Sequence, residues 1–236
     1  MDLLHLSQHI SRQFNAEIED VRKRVLAMGG LVEEQIAAAV AIVQSHDASA
    51  LAEIAERERR INQSEVALDE QCTFILARRQ PTASDLRLVL TIMKMLADLE
   101  RIGDEAKRIA RIGERVAIED GDLDIVMLLA DLGAATRDML RGALDAFVRL
   151  DEALAHEVLR SDAQVDRMYR SAEGALVARM QEYPDAIPAQ LDRLWCARSF
   201  ERIGDRCKNL CEFVLYLVRG KDVRHTALTE IESAVL

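Results

Sequence analysis

Apolar residues recur every three or four positions along most of the chain, with polar and charged residues between them. This spacing is typical of amphipathic helices and predicts six long ones. The predicted helices span residues 14–45, 47–79, 82–115, 123–150 and 152–183, with a last helix that follows Pro184 and Pro188 and ends near Arg219.

The interruptions in this pattern predict where the helices end. Gln80-Pro81-Thr82 breaks the second helix, and Thr82 followed by Asp85 resembles a capping box that would begin the third. We expect Gly29-Gly30 to weaken or bend the first helix. Long helices with short connections pack as antiparallel bundles, so the sequence predicts an all-α fold.

The spacing also divides the chain into successive regions. Residues 1–13 are a polar leader, and residues 14–116 hold the first three helices. An acidic, Gly-containing linker occupies residues 117–122, the next three helices occupy 123–219, and 220–236 form a short tail. We therefore expect two tandem three-helix bundles.

Composition narrows the classes of function. The chain has 236 residues and is 50% hydrophobic but only 4% aromatic, which favours helix over sheet. Its net charge is −10 and it has no long basic run, so nucleic-acid binding is not expected as the main role. We expect no membrane-spanning segment and no secretory signal. The four cysteines form no CxxC, which fits a reducing cytoplasm. We expect Trp195 to lie in the core.

One pentapeptide occurs twice. Glu100-Arg101-Ile102-Gly103-Asp104 is repeated letter for letter as Glu201-Arg202-Ile203-Gly204-Asp205. Such a repeat in a chain of this length indicates an internal duplication. Because residues four apart lie on one face of a helix, each copy presents two neighbouring carboxylates.

Three further acidic pairs have the same spacing: Asp120/Asp124 falls at the linker and is set aside, and the other two lie one on the preceding helix of each set. The midpoint between the first two pairs falls just after Thr82, and that between the second two falls at Tyr183-Pro184. In an antiparallel hairpin, residues equidistant from the turn face each other, so each set of helices can bring four carboxylates together. The two predicted groups are Glu65, Asp69, Glu100 and Asp104, and Asp162, Asp166, Glu201 and Asp205.

Four converging carboxylates favour cation binding, and oxygen ligands suit Mg²⁺, Ca²⁺, Mn²⁺ or iron. The alternative is that these acids form solvated helix faces paired with Arg101, Arg202, Lys107 or Arg206. Gly103 and Gly204 cost helix stability, so their repetition indicates close approach of a helix or a ligand.

Two other classes of protein compete with a metal-binding regulator. A ferritin-like di-metal enzyme needs Glu-x-x-His pairs, and no Glu in this chain has a His three residues later. A purely structural helical adaptor without metal stays open. The sequence has no nucleophile–base constellation and no Gly-rich phosphate loop, so we expect no enzymatic activity.

The motifs resemble those of the PhoU family. The resemblance covers nearly the whole chain and is carried by six stretches, two of which contain the pentapeptides. The stretches are Gln13-Phe14-Asn15-Ala16-Glu17, Ala27-Met28-Gly29-Gly30, Arg79-Gln80-Pro81-Thr82-Ala83-Ser84-Asp85-Leu86-Arg87, Leu99 to Asp104, Phe200 to Cys207, and Gly220-Lys221-Asp222-Val223-Arg224-His225.

The resemblance implies two similar three-helix bundles with multinuclear metal clusters held by paired Glu/Asp-xxx-Asp motifs. Asp162 stands in place of the usual Glu, and its shorter side chain could alter the second cluster. The metals implied are divalent or trivalent ions: Mg, Mn, Fe or Zn. The family regulates phosphate-starvation genes negatively and links the ATP-binding subunit of a phosphate ABC transporter to a sensor histidine kinase. We also expect a cytoplasmic homodimer that reaches the membrane only through these partners.

Overall fold

The structure is a computed structural model that describes residues 12–45, 48–116 and 122–223. Six long helices make up almost all of these residues, accompanied by two short 3₁₀ turns at Ala48–Ala50 and Pro184–Ala186, and no strand occurs in these three ranges. The helices are α1 (Arg12–Ser45), α2 (Leu51–Arg79), α3 (Ala83–Arg115), α4 (Leu123–Arg149), α5 (Glu152–Glu182) and α6 (Ile187–Arg219). The all-α prediction is confirmed.

The predicted helix boundaries agree with these bounds to within a few residues. Most of the predicted leader, all but one residue of the predicted linker and most of the predicted tail lie outside the described residues. Three connections lie wholly within the described residues: the two proline turns and the link between α4 and α5. They fall where the sequence places them, at Gln80-Pro81-Thr82, at Pro184 and at Leu150-Asp151.

Of two local expectations, the capping box at Thr82 is wrong, and the weakening or bending of α1 at Gly29-Gly30 stays a prediction. The helix α1 runs unbroken through Gly29, whose lack of a side chain serves packing: a Cβ there would lie 2.6 Å from Leu144 Cδ1 of α4. Thr82 does precede α3, but its hydroxyl makes no capping hydrogen bond. The amide of Asp85 donates instead to the Thr82 carbonyl at 3.1 Å.

The helices pack as two sets of three that share one core. Within each set every helix contacts the other two, and α1 against α4 and α3 against α6 join the sets. The buried side chains form one continuous cluster, from Val25 and Ile36 of α1 to Phe147 of α4 and Phe200 of α6. Burial of this apolar surface is the main source of fold stability, at about 25 cal/mol per Å².

Trp195 does not belong to this core, contrary to expectation. Half of it is exposed, and the Arg108 guanidinium lies 5.6 Å from the centre of its ring. A cation over an indole face stabilises it at the surface without full burial.

The first helix corrects the expectation that no segment is apolar enough to span a bilayer. By length and composition alone, α1 qualifies over Gln13–Ser45, since an 18-residue window within it has a mean hydropathy of 1.6. Its apolar side, including Val25, Met28 and Val32, is buried against the other helices. Core helices pass the same test, so the composition of α1 is explained by its central position in the bundle.

Candidate metal site in each half

The first group of predicted carboxylates comes together where α2 packs against α3. Burial raises the pKa of Glu65 above its usual value, and the nearby charges of Asp69 and Asp104 raise it further. The pKa of Glu100 is raised in the same way, first by burial and then by Asp104 and Glu65. Glu65 and Glu100, on facing helices, are therefore close enough to repel each other, and the charge of Asp104 acts on both.

The second group comes together between α5 and α6. Burial raises the pKa of Glu201, and the charges of Asp205 and Asp166 raise it further. Burial also raises the pKa of Asp205, and the charge of Asp162 adds to it. The acids of the two pentapeptides thus sit in equivalent places, one pair in each set of helices.

The glycines of the two pentapeptides allow the helices that carry the acids to approach. A Cβ on Gly103 would lie 3.3 Å from Ile61 of α2, and one on Gly204 would lie 3.1 Å from Val165 of α5. Of the two interpretations left open by the sequence, close approach of a helix is therefore what the structure shows. This approach brings the acids of neighbouring helices within range of each other.

Each group has a lysine three residues after its last acid, at the same offset as the pentapeptides. The ammonium of Lys107 lies 3.8 Å from Asp104 Oδ1, and that of Lys208 donates to Asp162 Oδ2 at 3.2 Å. An internal cation therefore already offsets part of the negative charge in each group. Sequence reasoning treated Lys107 only as a surface partner and did not single out Lys208, although the repeat extends to both.

Three nearby arginines lie beside other acids. Arg202 donates to Glu105 at 3.1 Å, and Arg206 donates to the buried Asp98 at 3.1 Å. These two bonds cross from α6 to α3 and fix the two sets of helices against each other. Arg101 lies 3.9 Å from Asp98, and its charge only partly counters the rise in the pKa of Glu65 and Glu100. The alternative of acids fully paired by arginine is therefore weak for the first group.

In the second group an arginine pairs with Glu201. Arg198 donates to Glu201 Oε1 at 2.8 Å, while Glu201 Oε2 is buried without a hydrogen-bond partner. In the first group, Oε1 of the buried Glu58 has no hydrogen-bond partner but lies 3.4 Å from the Lys107 ammonium. A buried carboxylate oxygen without a donor is costly unless a cation reaches it.

Glu58 and Gln35 extend the first group, and sequence reasoning missed both. Glu58 is 3% exposed and accepts a hydrogen bond from Gln35 Nε2 at 2.7 Å. Glu58 lies seven residues before Glu65, so it falls on the same face of α2. The sequence signal for Glu58 is therefore its position seven residues before Glu65, about two helical turns away. Gln35 lies on α1, where the apolar periodicity does not indicate a functional residue.

An open groove of about 1030 Å³ lies between α3 and α6 and links the two groups. Asp104 of the first group and Asp205 of the second both line it, together with Arg101, Arg202 and Arg206. The two carboxylate groups therefore share one open surface depression. Its walls carry both acids and bases.

The donor set fits hard metal ions. It consists of carboxylates, some of them partly buried, and Oε2 of Glu201 is buried without a hydrogen-bond partner. As the side chains stand, no three Asp, Glu, His or Cys residues within the described ranges converge tightly enough to hold an ion. The cysteines do not contribute: Cys207 and Cys211 are fully buried, and burial raises the pKa of both thiols well above the usual value. They are core thiols.

These features define a class: a duplicated all-helical bundle with a carboxylate group in each half. The sequence model of the PhoU domain matches the chain twice, over residues 25–113 and 129–214. The chain belongs to the PhoU family.

Relatives of known name agree with this assignment. The chain is 45% identical to the phosphate-specific transport system accessory protein PhoU of Escherichia coli strain K12, over 98% of this chain and 96% of that protein. It is 47% identical to the corresponding PhoU homolog of Pseudomonas aeruginosa, over 98% of this chain and 95% of that protein.

The fold matches two crystal structures. That of PhoU from Pseudomonas aeruginosa superposes with a TM-score of 0.84 at 46% identity, covering 89% of this chain and 100% of that one. That of the phosphate transport system regulatory protein PhoU from Streptococcus pneumoniae superposes with a TM-score of 0.80 at 29% identity, covering 89% of this chain and 99% of that one.

Proposed function

We propose that this protein is a cytoplasmic, metal-binding negative regulator of phosphate uptake and of the phosphate-starvation response. Its partners are the ATP-binding subunit of a phosphate ABC transporter and a phosphate-sensing histidine kinase, and it acts as a homodimer without enzymatic activity. Relatives that align over nearly the full chain are named as accessory or regulatory proteins of phosphate transport, which supports this role.

Metal binding is supported mainly by the carboxylate group in each half, whose acids repel one another. Burial and mutual repulsion raise the pKa values of Glu65, Glu100, Glu201 and Asp205 together. Because each half retains repulsion between its acids, a bound cation would stabilise both halves. When bound, Mg²⁺, Mn²⁺, iron or Zn²⁺ would supply positive charge that holds the two helices of each site in a fixed relation.

In each site, the four acids of the group would hold the ion, and the lysine beside them would move aside. Asp104 and Asp205 line the groove between α3 and α6, so a bound ion in either half would change the charge of that groove. A partner surface that contacts the groove would then be sensitive to metal occupancy. In this proposal the regulatory signal arises on the face where the two halves meet.

The regulatory role is tested by deletion and complementation in the organism's own cells. We expect loss of the gene to raise expression of phosphate-starvation genes in phosphate-rich medium, and the wild-type gene to restore repression. Unchanged expression in the deletion strain would contradict the assignment. Affinity capture of the tagged protein at high and low phosphate, probed for the transporter's ATP-binding subunit and the kinase, tests the partners.

A metal-free helical adaptor is the second candidate, and one observation favours it. No three ligands converge in the described part of the chain, and a lysine already offsets charge in each group. Elemental analysis of protein purified without chelators separates the two. A clearly substoichiometric metal content after exposure to Mn²⁺, Zn²⁺ and Fe²⁺ would favour the adaptor.

A further inference from the structure

The outward sides of α3 and α6 carry exposed apolar residues that repeat together with the pentapeptides. The offset between the two pentapeptides also relates Leu86 to Ile187, and each of these is 38% exposed. The same offset relates Leu90 to Leu191, which are 38% and 42% exposed. We call Leu86 with Leu90 the first patch, and Ile187 with Leu191 the second patch. A single exposed leucine is ordinary, but exposed apolar residues at matching places in both halves indicate a contact surface.

The antiparallel packing of α3 and α6 puts the two patches at opposite ends of one face. Arg115 near the end of α3 donates to Asp192 near the start of α6 at 3.0 Å. At the other end, a Cβ on Gly220 would lie 3.4 Å from Arg87 Cζ. Two antiparallel neighbours that carry the same repeat are related by an approximate two-fold axis normal to the pair, so equivalent residues point to the same side. Each helix has 33 residues, so the patches lie about 45 Å apart at 1.5 Å per residue.

Both patches open onto the charged groove described above. Leu191, Trp195, Arg198 and Arg202 succeed one another at spacings of three and four residues, so they share one side of α6. Arg198 and Arg202 line the groove, and so does Arg101 of α3, the equivalent of Arg202 in the first half. The face therefore consists of the groove with an apolar patch at each end.

Beside each patch, a cation from α3 lies over an aromatic ring of α6. Lys94 Nζ, one helical turn after Leu90, lies 5.3 Å from the centre of the Tyr216 ring. Arg108 Cζ lies 5.6 Å from the centre of the Trp195 ring, which follows the second patch by one turn. Aromatic and arginine side chains beside apolar residues are typical of the strongest contacts at protein interfaces. The two cations favour a partner that places a carboxylate next to each apolar contact.

Two equivalent patches on one face fit a partner that is itself two-fold symmetric. A pair of identical subunits presents the same apolar and acidic surface twice, in the relation that the two patches require. We infer that one chain of this protein bridges two ATP-binding subunits of the phosphate transporter, with one patch on each subunit. This inference rests on the proposed function, which includes that subunit as a partner. Relatives that align over nearly the full chain are named as accessory proteins of a phosphate-specific transport system, which favours the transporter over the kinase.

The test compares a paired partner with a single one. The intact transporter of the same organism, in detergent, holds both ATP-binding subunits, and the isolated subunit is used as a monomer. Binding of the purified chain to each is measured by surface plasmon resonance. Because two linked contacts reinforce each other, we expect wild type to bind the transporter at least about tenfold more tightly than the isolated subunit, with one chain per pair of subunits.

Substitutions in the patches separate the two contacts. Leu90→Asp and Leu191→Asp each bring a negative charge against the partner's carboxylate, so each should weaken binding to the transporter at least about tenfold. The double variant should weaken it at least about a hundredfold. Met127→Asp is the matched control and should leave the affinity unchanged. Met127 is exposed on α4 and is not among the described residues that line the groove.

The cations provide a second test that stands even if the aspartates prevent folding. Lys94→Gln together with Arg108→Gln removes both charges and leaves the apolar patches in place. This variant should bind the transporter several-fold more weakly than wild type, and thermal melts check that it is folded. An affinity of the folded variant equal to that of wild type would overturn the inference.

Three other results would overturn the inference and leave the proposed partner in place. The first is wild-type affinity for the transporter in Leu90→Asp or in Leu191→Asp. The second is equal affinity of wild type for the transporter and for the isolated subunit. The third is loss of this protein's own dimer in both variants without weaker binding to the transporter, which would assign the face to self-association. Absence of any binding by wild type would contradict the proposed partner together with the inference.

Discussion

At the scale of single residues, repulsion between carboxylates in each candidate site is partly offset by the charge of a lysine. Glu65 and Glu100 in one half, and Glu201 and Asp205 in the other, are partly buried next to other acids, and their pKa values rise accordingly. At neutral pH this repulsion lowers the stability of the metal-free protein. Metal and protons are therefore expected to compete for the same oxygens.

The sign of the pH effect follows from the raised pKa values. A carboxylate whose pKa is higher in the folded state is more favourable there when protonated, so stability rises as pH falls through the raised pKa. In metal-free protein at pH 7, replacing Glu100 and Glu201 by Gln should raise the thermal midpoint. This advantage should shrink as the pH falls toward the usual carboxyl pKa, 4.5 for Glu.

Glu152 is the control with the opposite sign. A hydrogen bond from Arg219 lowers its pKa, so its stabilisation is present at neutral pH and is lost as pH falls through that lowered value. Glu152→Gln should lower the midpoint at pH 7, with a deficit that shrinks in acid. Thermal melts in chelator from pH 7 to pH 4 measure both, and parallel profiles for wild type and the Glu100/Glu201 variant would contradict the account.

The two lysines give a second prediction at this scale. Because the ammonium groups of Lys107 and Lys208 lie against the candidate ligands, they compete with any bound metal. Lys107→Met together with Lys208→Met should tighten Mn²⁺ binding several-fold, as judged by calorimetric titration. Lys23→Met, on the exposed side of α1, removes a charge from outside both sites and should change nothing. Weaker binding in the double variant would mean that the lysines hold the sites in shape.

At the scale of elements, glycines decide how closely the helices pack. Gly133 of α4 faces two neighbours: a Cβ would lie 2.4 Å from Val40 Cγ2 of α1 and 2.8 Å from Phe200 Cε1 of α6. Phe200 is fully buried and has little room to move. This contact helps to set how α4 lies against both sets of helices.

Gly133→Ala should therefore destabilise the protein. Overpacking of a core contact costs about 1–3 kcal/mol, against a helix-propensity gain of about 1 kcal/mol. A Cβ added to Gly174 of α5 would meet nothing within 4 Å, so Gly174→Ala should gain up to about 1 kcal/mol from propensity alone. Urea unfolding of the two variants gives both values, and equal or reversed effects would show that the α4 contact is not tight.

The helices themselves and the eight acids followed from periodicity and from the repeat. Apolar spacing predicted every helix because each buries one side in a common core, and the turn-centred arrangement of the acids placed them on facing helices. Gln35 was missed because its role comes from contacts among three helices, which spacing within one helix does not reveal. Glu58 was missed because it lies seven residues, and not four, before Glu65. Trp195 was misplaced because an arginine on another helix, Arg108, lets it stay at the surface.

At the scale of the whole molecule, the two halves share a core but carry separate carboxylate groups. Contacts of α1 with α4 and of α3 with α6 join them, and the groove between α3 and α6 opens to both groups. The apolar core, and not the metal, supplies most of the folding free energy. Removal of metal is expected to cost stability by mass action only, on the order of a few kcal/mol at saturating metal.

The central claim is that each half binds metal through its own acids. The most direct test measures metal bound per chain, by elemental analysis after Mn²⁺ loading, for wild type, for Glu100→Ala/Asp104→Ala and for Glu201→Ala/Asp205→Ala. The account predicts that each variant stays folded, loses the metal of its own half and keeps that of the other. Wild-type protein without bound metal, or loss of all metal from either variant, would contradict it.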